Sequence, residues 1–162
     1  MALKITRKIH FVAAILFIIT SCGTIDVFEK SVNIPNHQWS STFTPEISFE
    51  IKDTTSLYNI FVVLRHTDAY RYNNIWMNVY TTIPGDTARK ERLDLRLATD
   101  DKGWLGSGMD DIYEHRILIT REPVALTKPG LYMFRLEQIM REEPLMYVMN
   151  AGIRVEKVTG GP

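Results

Sequence analysis

The sequence predicts an all-β fold: one antiparallel two-sheet β-sandwich, jelly-roll-like in its connections, with an immunoglobulin-like sandwich as the alternative. Three observations lead there. From residue 42 onward, apolar and polar residues alternate with a period of two in one segment after another. The segments are short and are separated by clusters of Pro, Gly, Asp and Ser. No long stretch carries a 3.6-residue apolar period, and the best helical candidate is a turn or two at 138–143. Seven or eight short strands joined by turns build a two-sheet sandwich.

The strands can be justified in order. Phe43, Pro45, Ile47, Phe49 and Ile51 alternate with Thr44, Glu46, Ser48, Glu50 and Lys52, which gives one buried face and one wet face. Asp53, Thr54, Thr55 and Ser56 form a turn cluster, and 57–64 is apolar on both faces, as a central strand requires. A polar loop with tyrosines follows at 67–74. The strand 75–83 ends at Pro84-Gly85-Asp86, which is turn chemistry. Leu93, Leu95 and Leu97 alternate with Asp94, Arg96 and Ala98 before a glycine-rich connection at 100–111. Tyr113, Ile117 and Ile119 share one face of the next strand. Lys128-Pro129-Gly130 turns the chain into 131–139, where Tyr132, Phe134 and Leu136 point one way and Arg135 and Glu137 the other. Ala151, Ile153 and Val155 alternate in the last strand.

The start of the chain has a different character. Lys4, Arg7 and Lys8 precede the apolar run 11–19, and Thr20 and Ser21 lead into Cys22. A basic end, a short apolar run and small residues at a cut site make a secretory signal. The apolar run is too short for a membrane span, which needs about 20 residues. Cys22 is the only cysteine, and it stands where lipoprotein processing acylates a thiol. The expected organisation is a lipoprotein signal peptide at 1–21, a lipidated tether at 22–41 where Val27, Phe28 and Trp39 dock, a sandwich domain at 42–158 and a tail at 159–162. Membrane lipid, held through Cys22, is the first expected partner. Several buried acyl chains anchor a protein firmly, whereas one holds it only marginally.

The chain has 162 residues with 19 basic and 19 acidic side chains. Without the first 21 residues, 141 remain with 16 basic against 19 acidic, enough chain for one sizeable core. A mildly acidic domain does not attract nucleic acid electrostatically. An acylated Cys22 leaves no thiol for a disulfide, a nucleophile or a metal.

Several constellations invite a chemical reading, and each has a plainer one. His66 and Asp68 share a strand face and could pair on a metal, but a strand-end histidine usually caps a core strand. Ser107 between Gly106 and Gly108 lacks the spacing and the strand-to-helix setting of a nucleophile elbow. Asp100, Asp101, Asp110 and Asp111 could offer oxygen ligands to calcium, but they match no EF-hand spacing and read as solvated turn acids. Asp68, Asp111 and Glu114 are the acids a hydrolytic sandwich would have to bring to one cleft. Trp39, Trp76 and Trp104, with Tyr70 and Tyr72, could form an aromatic platform for a sugar, although aromatics in sandwiches are more often core. Trp104 stands between Gly103 and Gly106, which permit unusual backbone angles and close packing. It is read first as a plug pinning its loop, and second, with Tyr70 and Tyr72, as a contact for a ligand or partner. No metal, cofactor or catalytic residue is expected.

Asp100-Asp101-Lys102-Gly103-Trp104-Leu105-Gly106-Ser107-Gly108 combines with other short runs. These are Phe49-Glu50-Ile51-Lys52-Asp53-Thr54-Thr55 with Tyr58-Asn59, Arg65-His66-Thr67-Asp68-Ala69-Tyr70 followed by Asn73-Asn74, and Met140-Arg141. The combination resembles the gliding motility lipoprotein GldH family of Bacteroidetes, over nearly all of the chain after Cys22. The resemblance implies a lipoprotein associated with the outer membrane, part of the gliding and type IX secretion apparatus, with no catalytic residues and with an envelope protein as partner. Gly23 after Cys22, without an aspartate or an acidic run, leads to an expected position on the periplasmic side. The alternative is a carbohydrate-binding or hydrolytic sandwich of an envelope polysaccharide system.

Overall fold

The computed structural model describes residues 27–158. The signal peptide, Cys22 and the tail at 159–162 lie outside the described residues. Eight main strands carry the fold: β1 (Val27–Asn33), β2 (Glu46–Ile51), β3 (Leu57–Thr67), β4 (Asn74–Thr82), β5 (Arg89–Arg96), β6 (Ile112–Leu118), β7 (Gly130–Gln138) and β8 (Val148–Lys157). They form two antiparallel sheets, ordered β1-β8-β3-β6 and β2-β7-β4-β5.

The pairing is nested. β1 pairs with β8, β2 with β7, β3 with β6 and β4 with β5, as though the chain were one long hairpin. Rolling that hairpin brings β8 against β3 and β7 against β4, which closes each sheet. This is the eight-stranded jelly roll. The immunoglobulin-like alternative, which groups strands as ABED and CFG, has a different order.

Alternation sets the core. On β3, Tyr58, Ile60, Val62, Leu64 and His66 point inward and are buried. Facing them, Tyr132, Phe134 and Leu136 of β7 and their neighbours Ile47 and Phe49 of β2 form the inward face of the second sheet. Phe49 is the aromatic hub, with ring centroids 5.1 Å from Phe28, 5.7 Å from Phe134 and 5.9 Å from Tyr132. Separations of this size are the favoured range for aromatic pairs.

The structure departs from the sequence reading at two places. The segment 22–41, expected as a tether, is part of the fold from Val27 on. β1 is a full edge strand, and Trp39 is completely buried, its indole N–H donating to the Phe43 carbonyl at 2.8 Å. Glu29, Lys30 and Ser31 interrupt the alternation in β1 because an edge strand leaves such residues in water. The helical turn expected at 138–143 is an irregular corner. There the Gln138 side chain donates to the Trp39 carbonyl at 3.1 Å and accepts from the Met140 amide at 2.8 Å. Glu143 accepts from Ser40 Oγ and the Ser41 amide. Pro144 disfavours helical backbone at the residue before it.

The outer face of the first sheet carries a closed charge network. Glu29 on β1 accepts from Arg116 on β6 and Arg154 on β8, Arg154 also holds Glu156, and Glu114 sits between Arg116 and Arg65. Partial burial raises the Glu29 pKa, but the two guanidiniums outweigh it and hold that pKa below the usual carboxylate value. Three arginines and three glutamates thereby neutralise one another across four strands.

Replacing Trp39 by alanine tests whether 27–41 belongs to the fold. Emptying a buried indole site costs about 3–5 kcal/mol. Thermal unfolding of Trp39→Ala followed by circular dichroism should show a clearly lowered melting temperature, an effect a tether residue would not produce.

Candidate interaction site

One end of the sandwich gathers most of the residues singled out in the sequence. It is built where β3 ends, β6 begins and the glycine-rich connection returns. His66 on β3 pairs with Tyr113 on β6, and His115 pairs with Leu64, so the two histidines are diagonal neighbours on the inward face. Both are buried, at 0% and 3% exposure, and their Nε2 atoms are 2.9 Å apart.

The geometry fixes the protons. His66 Nδ1 lies 2.7 Å from the Thr67 carbonyl, so that nitrogen carries the hydrogen and donates it. Nε2 of neutral His66 is then bare and accepts from the Nε2–H of His115. Burial lowers the pKa of both rings, and His66 adds charge repulsion that takes His115 down to about 4. Two neutral imidazoles thus share one hydrogen bond inside the protein.

Trp104 covers this pair. Its ring centroid lies 4.4 Å from His66, edge to face, and 5.7 Å from Tyr113. The glycines around it have distinct tasks. Gly103 adopts a φ of +67° at the hairpin formed by Ala98–Thr99 and Gly103–Trp104. A Cβ on Gly106 would fall 2.5 Å from the Glu114 carbonyl and 2.9 Å from His115 Cε1, so only glycine lets the chain approach β6 this closely. Ser107–Met109 then pairs with the edge of β6. Trp104 itself remains half-buried.

The other expected contacts separate. Tyr70 packs against His66 at 5.0 Å and against Trp104 at 6.2 Å, but it is only 4% exposed and its hydroxyl donates to the Asn74 carbonyl. Tyr72 meets Tyr70 edge to face at 5.8 Å and is half-buried at the rim. The three tryptophans form no common platform: Trp39 is core, Trp104 closes this end, and Trp76 lies on the outer face of the second sheet beneath Arg92.

The acids stand apart in the same way. Glu114 is on the outer face of the first sheet, between Arg65 and Arg116. Asp68 and Asp111 are exposed at the corner, joined through the Asp68 amide and the Asp111 carbonyl at 2.7 Å. Asp100 and Asp101 occupy the turn of the 98–104 hairpin, and Asp110 and Asp111 the turn before β6. Among the described residues, no three His, Cys, Asp or Glu side chains come together as a metal site needs. His66 spends both ring nitrogens on Thr67 and His115, not on Asp68. Ser107 is an exposed strand residue with no helix after it. Sequence reasoning did not connect His115 and Tyr113 to this site, because their partner His66 is 49 residues away from His115.

This is a jelly-roll domain in which Trp104, Tyr70 and Tyr113 close one end over two neutral imidazoles. Comparison with known proteins supplies the rest. Residues 26–155 match the model of the GldH lipoprotein family, and the chain belongs to that family. It is similar to the gliding motility lipoprotein GldH of Flavobacterium johnsoniae, 28% identical over 156 residues that cover 92% of this chain and 94% of that protein. A GldH homolog of Christiangramia forsetii is 24% identical over 149 residues, 88% of this chain and 90% of that one. Among solved structures, the infectious bursal disease virus VP2 subviral particle overlays with a TM-score of 0.38 at 14% identity, over 83% of this chain. The chain spans only 30% of that capsid protein, and a likeness this distant carries no functional argument.

Two measurements follow from the histidine pair. Because the folded pKa of His115 is depressed below the unfolded value of about 6.5, the unfolded chain binds more protons in between. Stability is therefore complete above about pH 6.5 and declines as the pH falls toward 4. His115→Gln should flatten that part of the stability–pH curve, read by denaturant unfolding. Trp104→Ala should lower the melting temperature and move the His115 titration, followed by NMR, back toward the ordinary range. An unchanged melting curve would assign Trp104 to binding alone.

Proposed function

We propose that the protein is a lipid-anchored, non-catalytic structural component of the gliding motility and type IX secretion apparatus, held at the outer membrane with its domain in the periplasm. The family match over residues 26–155 carries this reading. The basic end, short apolar run and Cys22 support the anchor. Glu114, tied to Arg65 and Arg116 on the outer face and away from Asp68 and Asp111, and the separation of the tryptophans weigh against the hydrolytic or sugar-binding alternative.

The fold sharpens the picture. Only five peptide units separate Cys22 from Val27, where β1 begins. An extended chain spans at most about 3.6 Å per residue, so the domain lies within about 18 Å of its anchor. The end of the sandwich that holds Val27, Lys157 and the Asp53–Ser56 turn faces the membrane. The Trp104 end points away from it, which leaves the outer faces of both sheets open to an envelope partner.

Cys22→Ala should lose acyl mass in mass spectrometry and leave the membrane fraction. Retention of that variant after a carbonate wash would remove the anchor. Deleting the protein should lower the amount or assembly of its envelope partner and, in a gliding host, stop movement or secretion. Asp68→Ala, Asp111→Ala and Glu114→Ala, made singly, should each rescue the deletion. A well-folded, correctly located variant of this set that does not rescue it would falsify the non-catalytic reading. Protease added to intact cells should leave the protein uncut, whereas rapid digestion would place it on the cell surface.

A further inference from the structure

The outer face of the second sheet differs from that of the first in how its charges are used. Opposite Tyr80 of β4 stand Lys90 of β5 and Arg135 of β7, and both cations lie over its ring, at 5.4 Å and 4.2 Å. Arg92 lies over the Trp76 ring at 4.7 Å. Among the described residues, none of these three cations forms an ion pair, in contrast to the three arginines on the other face. Glu137, Asp94 and Glu46 share this face, the last opposite Arg135, and the Asn78 hydrogen bond, with the nearby charges of Lys90 and Arg135, holds the Glu137 pKa below its usual value. Glu137 accepts from Asn78 Nδ2 at 2.7 Å and from the Tyr80 hydroxyl at 2.9 Å, and Asp94 accepts from Asn74 Nδ2 at 2.6 Å.

Beside this row is a hollow of about 410 Å³ lined by Tyr72, Trp76, Arg92, Ile139, Met140 and Arg141. Its walls are aromatic and aliphatic, and two guanidiniums stand among them. The lining of the hollow has these two guanidiniums and no acid, so its positive charge is local to it, on a face that also carries Glu46, Asp94 and Glu137 and in a mature chain with 16 basic against 19 acidic residues.

We propose that this face, centred on Trp76, Tyr80 and Arg92, docks an acidic segment of a protein partner, with one apolar side chain of that segment seated in the hollow. This rests on the reading that the protein works by binding an envelope partner, and it names the chemistry of that partner. Charge complementarity selects an anionic occupant, because cations stacked on aromatic rings keep their outward N–H groups for carboxylates. The hollow selects a side chain, because its floor offers apolar surface between flanking guanidiniums. A polysaccharide fits less well: sugars stack on open ring faces, and Arg92, Lys90 and Arg135 already lie over those of Trp76 and Tyr80.

The test uses the mature chain with Cys22→Ala and a fluorescein-labelled peptide of glutamates around one central leucine, read by fluorescence anisotropy. Binding should weaken as salt rises. It should fall about tenfold or more in Arg92→Glu and in Arg141→Glu, both at exposed positions, and should stay as it was in Lys30→Glu on β1. An all-glutamate peptide should bind several-fold more weakly than the one with leucine. Absence of binding, equal binding by Arg92→Glu, or displacement by polygalacturonate but not by the unlabelled peptide would overturn the proposal. In cells, a deletion phenotype that Arg92→Glu with Arg141→Glu fully rescues would overturn this docking face while leaving the partner-binding role intact. A deletion without phenotype would instead remove that role itself.

Discussion

The ladder between β3 and β8 is what the rest of the molecule depends on. It runs from His66 opposite Val148 to Tyr58 opposite Lys157 and joins the first half of the chain to its last strand. With β8 held there, β1 has an edge to pair with, and Ala151, Ile153 and Val155 face the core beside Leu64, Val62 and Ile60. Gly152 makes the close approach of β1 possible, since a Cβ there would fall 2.3 Å from Ser31 Oγ and 2.4 Å from the Lys30 carbonyl. A slip of one residue in this ladder would turn every inward side chain outward. The register is therefore set by burial of one face, not by any single bond.

The two outer faces then diverge for a physical reason. On the first sheet, glutamates and arginines fall on adjacent strands at matching positions, so each charge finds its opposite within the molecule. Val63, which the ladders place between Arg116 and Gly152 on this face, is 3% exposed. Exposed ion pairs add little stability each, and the effect of the network is to leave this face neutral. On the second sheet Lys90, Arg92 and Arg135 lie over the rings of Tyr80 and Trp76, and none of the three forms an ion pair among the described residues.

The Trp104 end shows a third use of polar groups. His66 and His115 satisfy each other and the Thr67 carbonyl in an interior that disfavours charge, and Trp104 with its glycines closes the end. Acidification acts against this arrangement, because protonating His66 sets two Nε2–H groups face to face and protonating His115 places a charge in an interior that disfavours it.

By itself the sequence determined the all-β class, the central position of 57–64 and the inward set Tyr132, Phe134 and Leu136, because period-two alternation is a local property that burial of one face imposes directly. It also determined the glycine setting of Trp104 and the position of Cys22 after a short apolar run. Only the tertiary structure decided that 27–41 is strand and core, since an edge strand keeps Glu29, Lys30 and Ser31 in water and so hides its alternation. Tertiary structure also chose the nested jelly-roll order, brought His66 to His115 and sent the three tryptophans to three different places. Each of these depends on which strands pair across long stretches of chain, and such pairing is selected by the packing of the whole core, about which a local pattern carries no information.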